Sequence, residues 1–448
     1  MKKFFVTLFL IAGLLATTSC GGGDEPDPKP EGEIVVTPNH VDANYEANTF
    51  TAATVITNLN ISDIVVTSAA AWCEAELATQ QAESKAVDKT PKASNKYYLN
   101  LTLKKNSDFA DRTVTINLKD KNSSALASLL LTQKGKPDVK VESDKLSFIP
   151  FAETLFNAVT TNVEASQLDV SSNASWATVT LQGAEKIKCS VANNGTINTR
   201  TATVKIKVKN HPETEKSFTI EQKGLLDYMV LVEGGTFMMG ATSEQGSDAF
   251  GWEKPAHSVT LDSYYIGRYE MTQKLWEAVM GNNPSKFKGE NQPVENVSWP
   301  DCQTFISKIN QITGKTFRIP TEAEWEFAAR GGKKSKGYKY SGSNDVDEVA
   351  WYDGNRNINQ EHEVGLKKPN ELGIYDMSGN VEEWCYDWYA YYSSSAQTNP
   401  LGPMTGTKRV LRGGSWLVAA TDCRVSYRTE ANPSTPYHLY GFRIAIYK

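Results

Sequence analysis

The sequence predicts a multidomain protein in which two small all-β sandwiches are followed by an irregular α+β domain. Three observations support this fold class. Two segments before the midpoint carry the same short motifs. Both segments alternate apolar and polar residues with the period of two that is typical of strands. From about Tyr228 the sequence becomes rich in Trp, Tyr and Gly, and short amphipathic helices with capping residues replace the long alternating runs.

Each copy of the repeat has a tryptophan after small residues, an arginine that opens an alternating strand, and a closing Gln-Lys-Gly. The matching residues are Trp72 and Trp176, Arg112 and Arg200, and Gln133 to Gly135 and Gln222 to Gly224. Sandwiches are therefore predicted at residues 33–136 and 137–225, with an insertion between Ala78 and Asn95 in the first. Both tryptophans are interpreted as core residues rather than sugar-stacking platforms, because a residue present in both copies suits a shared core.

Three helices are predicted within residues 228–448 from their start and stop signals. The predicted starts and stops are Thr272 and Gly281, Ser298 with Asp301 and Gly314, and Thr321 with Glu324 and Gly331. The carboxylates of Glu322, Glu324 and Glu326 at the third helix are interpreted as capping and solvent-facing groups. A catalytic carboxylate cluster is the less favoured interpretation.

The chain begins with a predicted secretory signal, residues 1–19, in which Lys2 and Lys3 precede a short apolar run. The small residues before Cys20 resemble the lipobox of bacterial lipoproteins, whose cysteine carries the lipid. A plain secretory signal with an incidental cysteine is the alternative. Residues 20–32 are interpreted as a flexible acidic tether, similar to the surface-export signal of Bacteroidetes lipoproteins. We therefore expect lipid anchoring at the bacterial outer membrane, with the protein at the cell surface.

The net charge, the histidine spacing and the absence of common catalytic motifs argue against several functions. The net charge of −5 becomes more negative when Lys2 and Lys3 are removed with the signal, so nucleic acid is not an expected partner. The 5 histidines are dispersed without metal-ligand spacing, and no phosphate-binding loop is present. Ser415 lies in Gly-Gly-Ser-Trp-Leu, which lacks the second glycine of a nucleophile elbow. An odd number of cysteines remains besides Cys20, so at least one is expected to stay unpaired within the chain.

Motifs in both halves resemble known families. The repeated unit is similar to the BACON family of Ig-like modules, which occur in exported Bacteroidetes proteins and are often linked to glycan binding. The C-terminal motifs, in order, are Val232 to Gly240, Glu270 to Thr272, Pro293 to Trp299, Arg318 to Glu326, Asn370 to Trp384, Arg412 to Trp416 and Tyr440 to Arg443. They resemble the sulfatase-modifying-factor family, whose founding member is the formylglycine-generating enzyme. This resemblance implies a C-type-lectin-like domain, poor in regular structure, over residues 228–448.

The founding enzyme oxidises a sulfatase cysteine to formylglycine with O₂, using Cu(I) held by two cysteines. Ser415 matches the family's active-site serine, and Cys423 matches the second copper cysteine. The first copper cysteine, the following histidine and a tryptophan of the family are replaced here by Val418, Ala419 and Glu382. These departures predict that copper is not bound and that this oxidation does not occur. Cys423 is then interpreted as a partly buried thiol or as one end of a disulfide with Cys302 or Cys385.

The same resemblance implies a structural calcium ion. Family members hold calcium with carboxylates and backbone carbonyls in the segment that matches Asp376 to Glu383. The expected ligands are the carboxylates of Asp376 and Glu383 and the carbonyls of Gly379 and Val381. A turn in which Asp376 caps a helix, without any metal, is the alternative.

These features lead to two functional hypotheses. The first is an envelope lipoprotein whose C-terminal domain is not catalytic and binds a peptide, protein or glycan in a cleft lined by Trp384, Trp388 and Trp416. A structural role in the envelope belongs to the same class. The second is an active sulfatase-modifying oxidase that uses Cys423 and Ser415. The replacement at Val418 favours the first.

Overall fold

The computed structural model describes residues 32–79, 95–356 and 358–448. The predicted signal, Cys20, nearly all of the tether and most of the predicted insertion lie outside the described residues. The chain divides into two compact units, Met1–Lys136 and Pro137–Lys448. Within the residues that the structure describes, no helix is both long and apolar enough to cross a membrane.

The first unit is a β-sandwich of two four-stranded sheets, with strand orders β1-β3-β6-β5 and β2-β8-β7-β4. Its strands are β1 (Ile34–Thr37), β2 (His40–Ala43), β3 (Asn48–Thr57), β4 (Ile64–Ser68), β5 (Cys73–Ala78), β6 (Asn95–Leu103), β7 (Arg112–Asp120) and β8 (Leu126–Gln133). Inward-facing residues of both sheets, such as Leu101 and Ile116, form one buried core. The alternating sequence pattern thus places every second side chain in the core.

The second unit begins with a sandwich of the same topology, in which the sheets have the orders β13-β14-β11-β9 and β10-β16-β15-β12. Its strands are β9 (Val139–Val141), β10 (Lys145–Phe148), β11 (Glu153–Thr161), β12 (Leu168–Ser172), β13 (Ala177–Gln182), β14 (Lys186–Val191), β15 (Arg200–Val208) and β16 (His211–Gln222). In each sandwich a short strand pairs in parallel with the last strand, β2 with β8 and β10 with β16. The two segments that share motifs in sequence therefore also share one strand topology.

The repeated motif residues meet in the structure. Arg112 lies 4.2 Å from the ring centroid of Trp72, and Arg200 lies 4.2 Å from that of Trp176. The Arg200 Nε–H donates to Gln222 Oε1 at 2.8 Å, and Arg112 does the same to Gln133. A stacked guanidinium therefore covers each half-buried indole, which agrees with the packing role predicted for both tryptophans.

The C-terminal part of the second unit is short-stranded and irregular. Its elements are β17 (Met229–Val232), β18 (Gly235–Met239), β19 (His257–Leu261), β20 (Tyr264–Gly267), α1 (Gln273–Met280), α2 (Trp299–Thr313), α3 (Glu322–Ala329), α4 (Val346–Val349), β21 (Glu382–Trp388), β22 (Gln397–Thr398), β23 (Arg409–Arg412), β24 (Arg428–Ala431), β25 (Tyr440–Gly441) and β26 (Ala445–Tyr447). They form three small sheets, β17-β20-β26, β18-β19-β22 and β24-β23-β21-β25. The prediction of a β-rich multidomain chain with an irregular α+β end is confirmed at this level.

The predicted helix signals are confirmed. The Thr272 side chain accepts the Leu275 N–H, and Gly281 ends α1 with a φ of 80°. A capping box at Ser298 begins α2, and one at Thr321 begins α3. These ends depend on hydrogen bonds between near neighbours in sequence, so local sequence is enough to predict them.

The second sandwich and the C-terminal elements share a hydrophobic core. Phe151 and Leu225 of the sandwich are buried in one cluster with Trp276 of α1 and Phe305 of α2. Glu153 at the start of β11 also pairs with Lys274 of α1 at 3.0 Å. Residues 137–448 consequently form one compact unit, although the sequence shows two different patterns within it.

Candidate functional site

The residues that match the family's catalytic positions lie on the loop that follows β23. Gly413 and Gly414 begin this loop with φ values of 96° and 72°. A Cβ added to Gly414 would lie 2.5 Å from the Asp422 carbonyl oxygen and 3.1 Å from Cys423 Sγ. Glycine is therefore required for the loop to pack onto the segment that carries Cys423.

Cys423 is fully buried in this structure. Its side chain is 0% exposed and packs in a small cluster with Tyr340 and Val349, against which Val418 also packs. Burial raises the pKa of its thiol, and the carboxylates of Asp422 and Glu382 raise that pKa further. Because the thiolate is the form that ligates copper or reacts, this environment opposes both functions.

None of the three cysteines predicted as candidates for a disulfide is paired. Cys302, Cys385 and Cys423 are all free and buried. Of the two interpretations of Cys423, the structure supports the thiol and contradicts the disulfide. The thiol is also more deeply buried than predicted.

Two acidic side chains stand near Cys423. Glu382 is 8% exposed, and burial together with the Asp422 carboxylate raises its pKa to about 7. The pKa of Asp422 is itself raised by burial. The sequence identifies Glu382 as a departure from the family pattern but does not single out Asp422, which matches no motif. The carboxylates give this position a negative field, which disfavours an anionic thiolate.

Ser415 and Trp416 are also buried away from solvent. Ser415 is 0% exposed, and its Oγ has no hydrogen-bond partner among the described residues. Trp416 is 3% exposed and meets Phe287 edge-on, with ring centroids 6.0 Å apart. The prediction that Trp416 lines a binding cleft is therefore wrong.

Trp384 and Trp388 differ in their surroundings. Trp384 is 0% exposed in the shared core, and its indole N–H donates to the Val297 carbonyl at 3.0 Å, so its predicted cleft position is also wrong. Trp388 is half-buried and lines a pocket of about 330 Å³. The Arg409 guanidinium lies 3.7 Å from the Trp388 ring centroid and 4.0 Å from that of Trp299.

The pocket beside Trp388 is a recess with both aromatic and charged walls. Its lining includes Trp388, Tyr391, Asp387, His257 and Arg428. Tyr391 is 81% exposed, so its ring is available to a ligand. Burial raises the pKa of Asp387 to about 7, with a further contribution from Glu322. A few polar groups among aromatic walls are typical of sites that bind organic ligands.

The glutamates of α3 are buried, so the prediction of solvent-facing carboxylates is wrong. Each one pairs with arginine: Glu322 with Arg428 and Arg412, Glu324 with Arg318, and Glu326 with Arg412 and Arg330. Arg318 and Arg330 lie within six residues of their partners, whereas Arg412 and Arg428 come from distant strands. All four neutralise charges that burial would otherwise make costly. These carboxylates stabilise the domain, and the capping role predicted for Glu324 is confirmed.

The predicted calcium segment is buried and strongly charged. Both oxygens of Glu383 contact Arg443, with Nε and Nη2 each 2.6 Å away. Asp376 has a φ of 57°, and its Oδ2 accepts the Gly365 N–H at 2.7 Å. Glu270 accepts the Val381 N–H at 3.0 Å.

Three carboxylates therefore surround one guanidinium at this segment. Burial and Coulomb repulsion raise the pKa of Glu270 well above its usual value, and burial raises that of Asp376 to about 6. Both oxygens of Glu383 already accept from Arg443, and Oε2 also accepts the Trp325 indole N–H at 3.0 Å, so a cation at Asp376 would have to share Glu383 with these donors. Within the described residues no three acidic, histidine or cysteine side chains form a metal-binding group, so the carbonyls predicted at Gly379 and Val381 would have to contribute.

The fold and this site define a β-rich multidomain protein with an irregular C-terminal domain, and comparison gives its family. The family of the sulfatase-modifying factor enzyme 1-like domain matches residues 214–448, slightly more than half of the chain. The chain therefore belongs to the sulfatase-modifying-factor family. BACON domains precede it, with matches at residues 62–134 and 165–223. Both predicted resemblances are confirmed.

Individual relatives carry different names. Chaperone protein LppX of Paenibacillus barcinonensis is 40% identical over 250 residues, which are 45% of this chain and 82% of LppX. The formylglycine-generating enzyme of Streptomyces coelicolor is 36% identical over 176 residues, 35% of this chain and 52% of the enzyme. The chain thus spans about half the length of that enzyme. Among solved structures, Treponema denticola variable protein 1 is 34% identical and covers 52% of this chain and 96% of its own, with a TM-score of 0.44.

Proposed function

We propose that this chain is an envelope-anchored lipoprotein whose C-terminal domain binds a protein, peptide or glycan and does not generate formylglycine. The observation that carries the proposal is the state of Cys423. Its thiol is fully buried, has a raised pKa, lies near Asp422 and Glu382, and has Val418 where the family has a second thiol. A soft Cu(I) ion needs thiolates, and this environment supplies none.

The pocket beside Trp388 is the binding site in this proposal. It combines the exposed ring of Tyr391 with the polar side chains of Asp387 and His257, while the Arg428 guanidinium in its wall is already paired with Glu322. An aromatic face beside hydrogen-bonding groups suits a sugar ring or a peptide side chain. The relative named chaperone protein LppX supports a protein ligand. We also propose that the two sandwiches are Ig-like and that the C-terminal domain is C-type-lectin-like.

Anchoring rests on Cys20 and the residues around it. The lipobox-like sequence would place the lipid at the start of a tether, and the BACON domains follow it in the chain before the C-terminal domain. The acidic tether at residues 20–32 supports exposure at the outer-membrane surface. In this arrangement the C-terminal domain meets folded or extracellular partners.

Co-expression with a cysteine-type sulfatase should yield no formylglycine, because Cys423 lacks a second thiolate partner. Mass spectrometry of the sulfatase peptide measures the product, and the Streptomyces coelicolor enzyme serves as the positive control. Titration with Cu(I) should likewise show no tight stoichiometric site. Formylglycine that disappears in Cys423→Ala but persists in Cys302→Ala would contradict the proposal and establish the oxidase.

We also propose a structural Ca²⁺ ion at Asp376. Asp376→Ala should then lower the melting temperature in calcium and abolish the part of the stabilisation that depends on added Ca²⁺, because a bound ion stabilises the folded state by mass action. Differential scanning calorimetry with and without a chelator measures this effect. Glu371, a carboxylate five residues earlier, offers the control Glu371→Ala. Equal calcium responses in the wild type and Asp376→Ala would remove the ion from the proposal.

A further inference from the structure

A second acidic site lies where the loop between α1 and α2 meets the segment at residues 361–364. The Gln292 Nε2–H donates to the Glu361 carbonyl at 3.4 Å, and the Val364 N–H donates to the Asn291 carbonyl at 3.0 Å. These bonds place Glu361 beside the loop that also carries Glu295. Both glutamates are 0% exposed.

Four buried oxygen atoms of this site have no hydrogen-bond partner among the described residues. They are Glu295 Oε2, Glu361 Oε1 and Oε2, and Gln292 Oε1. Gln292 itself is 7% exposed, so its amide oxygen is removed from water. Unpartnered buried carboxylate oxygens are costly, and an amide oxygen adds a third group that can only accept.

No cationic side chain of the described residues neutralises either glutamate through an ion pair. The nearby Lys288 ammonium donates to the Asn283 carbonyl at 2.7 Å. The Lys286 ammonium lies 5.0 Å from the ring centroid of Phe287. The other oxygen of Glu295 accepts the N–H groups of Lys286 and Phe287, so the carboxylate is held in place by the loop backbone.

A shared proton does not account for the whole set. One proton between Glu295 and Glu361 would serve two of the four oxygens and leave a carboxylate oxygen and the Gln292 amide oxygen without a donor. A cation bound between the two segments would satisfy the carboxylate and amide oxygens together. Burial raises the pKa of Glu361 to about 8, with a contribution from the Glu295 charge, and burial raises that of Glu295 to about 7. These shifts show how strongly the site disfavours two uncompensated charges.

We propose that Glu295, Glu361 and the Gln292 amide oxygen bind a Ca²⁺ ion, distinct from the site at Asp376. Every candidate ligand is a hard oxygen, and Ca²⁺ accepts irregular sets of carboxylate, amide and carbonyl oxygens. Mg²⁺ fits less well, because it requires near-octahedral geometry and keeps several waters, which a buried site does not favour. Backbone carbonyls of the two segments would complete the coordination.

This ion would link the two segments and hold Phe287 in place. Phe287 follows the loop residue Lys286, donates its N–H to Glu295 at 3.1 Å, and packs edge-on against Trp416. Calcium would thus fix the packing around the family-matched loop of Ser415 and Trp416 without contacting it.

The test is a calcium count on the full chain and three variants after gel filtration, by inductively coupled plasma mass spectrometry. Glu361→Gln removes one charge at nearly constant shape, Asp376→Asn alters the other proposed site, and Glu363→Gln changes an exposed neighbour. Glu361→Gln should hold one calcium fewer per chain than the wild type. Glu363→Gln should match the wild type, and Asp376→Asn should keep the ion lost in Glu361→Gln.

Thermal denaturation in chelator controls for folding. Glu361→Gln should melt at or above the wild-type temperature there, because it removes a buried charge. Added Ca²⁺ should then raise the melting temperature less in Glu361→Gln than in Glu363→Gln. Equal calcium content in the wild type and Glu361→Gln would overturn the proposal.

Proton sharing is also distinguishable. A carboxyl whose pKa is raised on folding stabilises the protein below its unfolded pKa and loses that contribution as pH rises through the folded pKa. Wild-type stability that falls between pH 4.5 and about 8 and does not respond to Ca²⁺ would assign a shared proton and overturn the cation.

Discussion

Replacing Arg443 with methionine should lower the free energy of unfolding of the second unit by about 3–5 kcal/mol, since it leaves buried carboxylates without their cation. Arg443 is 0% exposed and holds both oxygens of Glu383, which is also 0% exposed. The Glu270 and Asp376 carboxylates contribute further negative charge around the same guanidinium. Urea denaturation followed by circular dichroism measures the loss.

The loss should depend on pH. In Arg443→Met the carboxylates can relieve their repulsion by binding protons, so the variant should be closer to wild type at pH 5 than at pH 8. Arg268→Met is the control, because Arg268 lies in the same region but is partly exposed and makes a 3.4 Å bond to the Gly373 carbonyl. A loss below 1 kcal/mol at pH 8 would mean that the carboxylates do not depend on Arg443.

Phe151→Ala should destabilise the C-terminal elements as well as the second sandwich. Phe151 is 1% exposed and lies in the cluster that contains Trp276 and Phe305. Deleting a buried phenylalanine side chain costs about 3–5 kcal/mol through lost burial and the cavity left behind. Because the cluster belongs to both parts, calorimetry should show one transition for residues 137–448, shifted to lower temperature.

The control for this prediction is Phe156→Ala, which removes the same side chain from a position that is 53% exposed in β11. It should change the melting temperature much less. A Phe151→Ala protein whose sandwich melts early, while the C-terminal part melts at the wild-type temperature, would show that the two parts unfold independently.

The features predicted from sequence were those specified by local or repeated residues. Capping at Thr272, Ser298 and Thr321 depends on atoms three residues apart, and the sandwich repeat is visible in two aligned copies. The family motifs also occur in the sequence in the order that the family has. Sequence was therefore sufficient for the domain types, the helix ends and the family.

The errors concern partners that are distant in sequence. The sequence around Glu322 predicts a solvent-facing side chain, but in the structure Arg412 and Arg428 pack against it. The sequence allows Trp384 to contact a ligand, but in the structure β21 places its side chain in the core. The proximity of Glu295 and Glu361 likewise depends on how two loops fold against each other, and no sequence motif predicts it. Burial of polar groups is a property of the tertiary structure, which periodicity does not report.

The core shared by the second sandwich and the C-terminal domain restricts how this domain combination can evolve. A domain whose surface is entirely polar can be duplicated or recombined as an independent module. Here, separating the sandwich would expose the side of the cluster that Phe151 and Leu225 cover, and α1 and α2 would need new polar residues there. Recombination at the sequence boundary near residue 226 would therefore succeed only with compensating surface substitutions, whereas moving residues 137–448 together would require none at this contact.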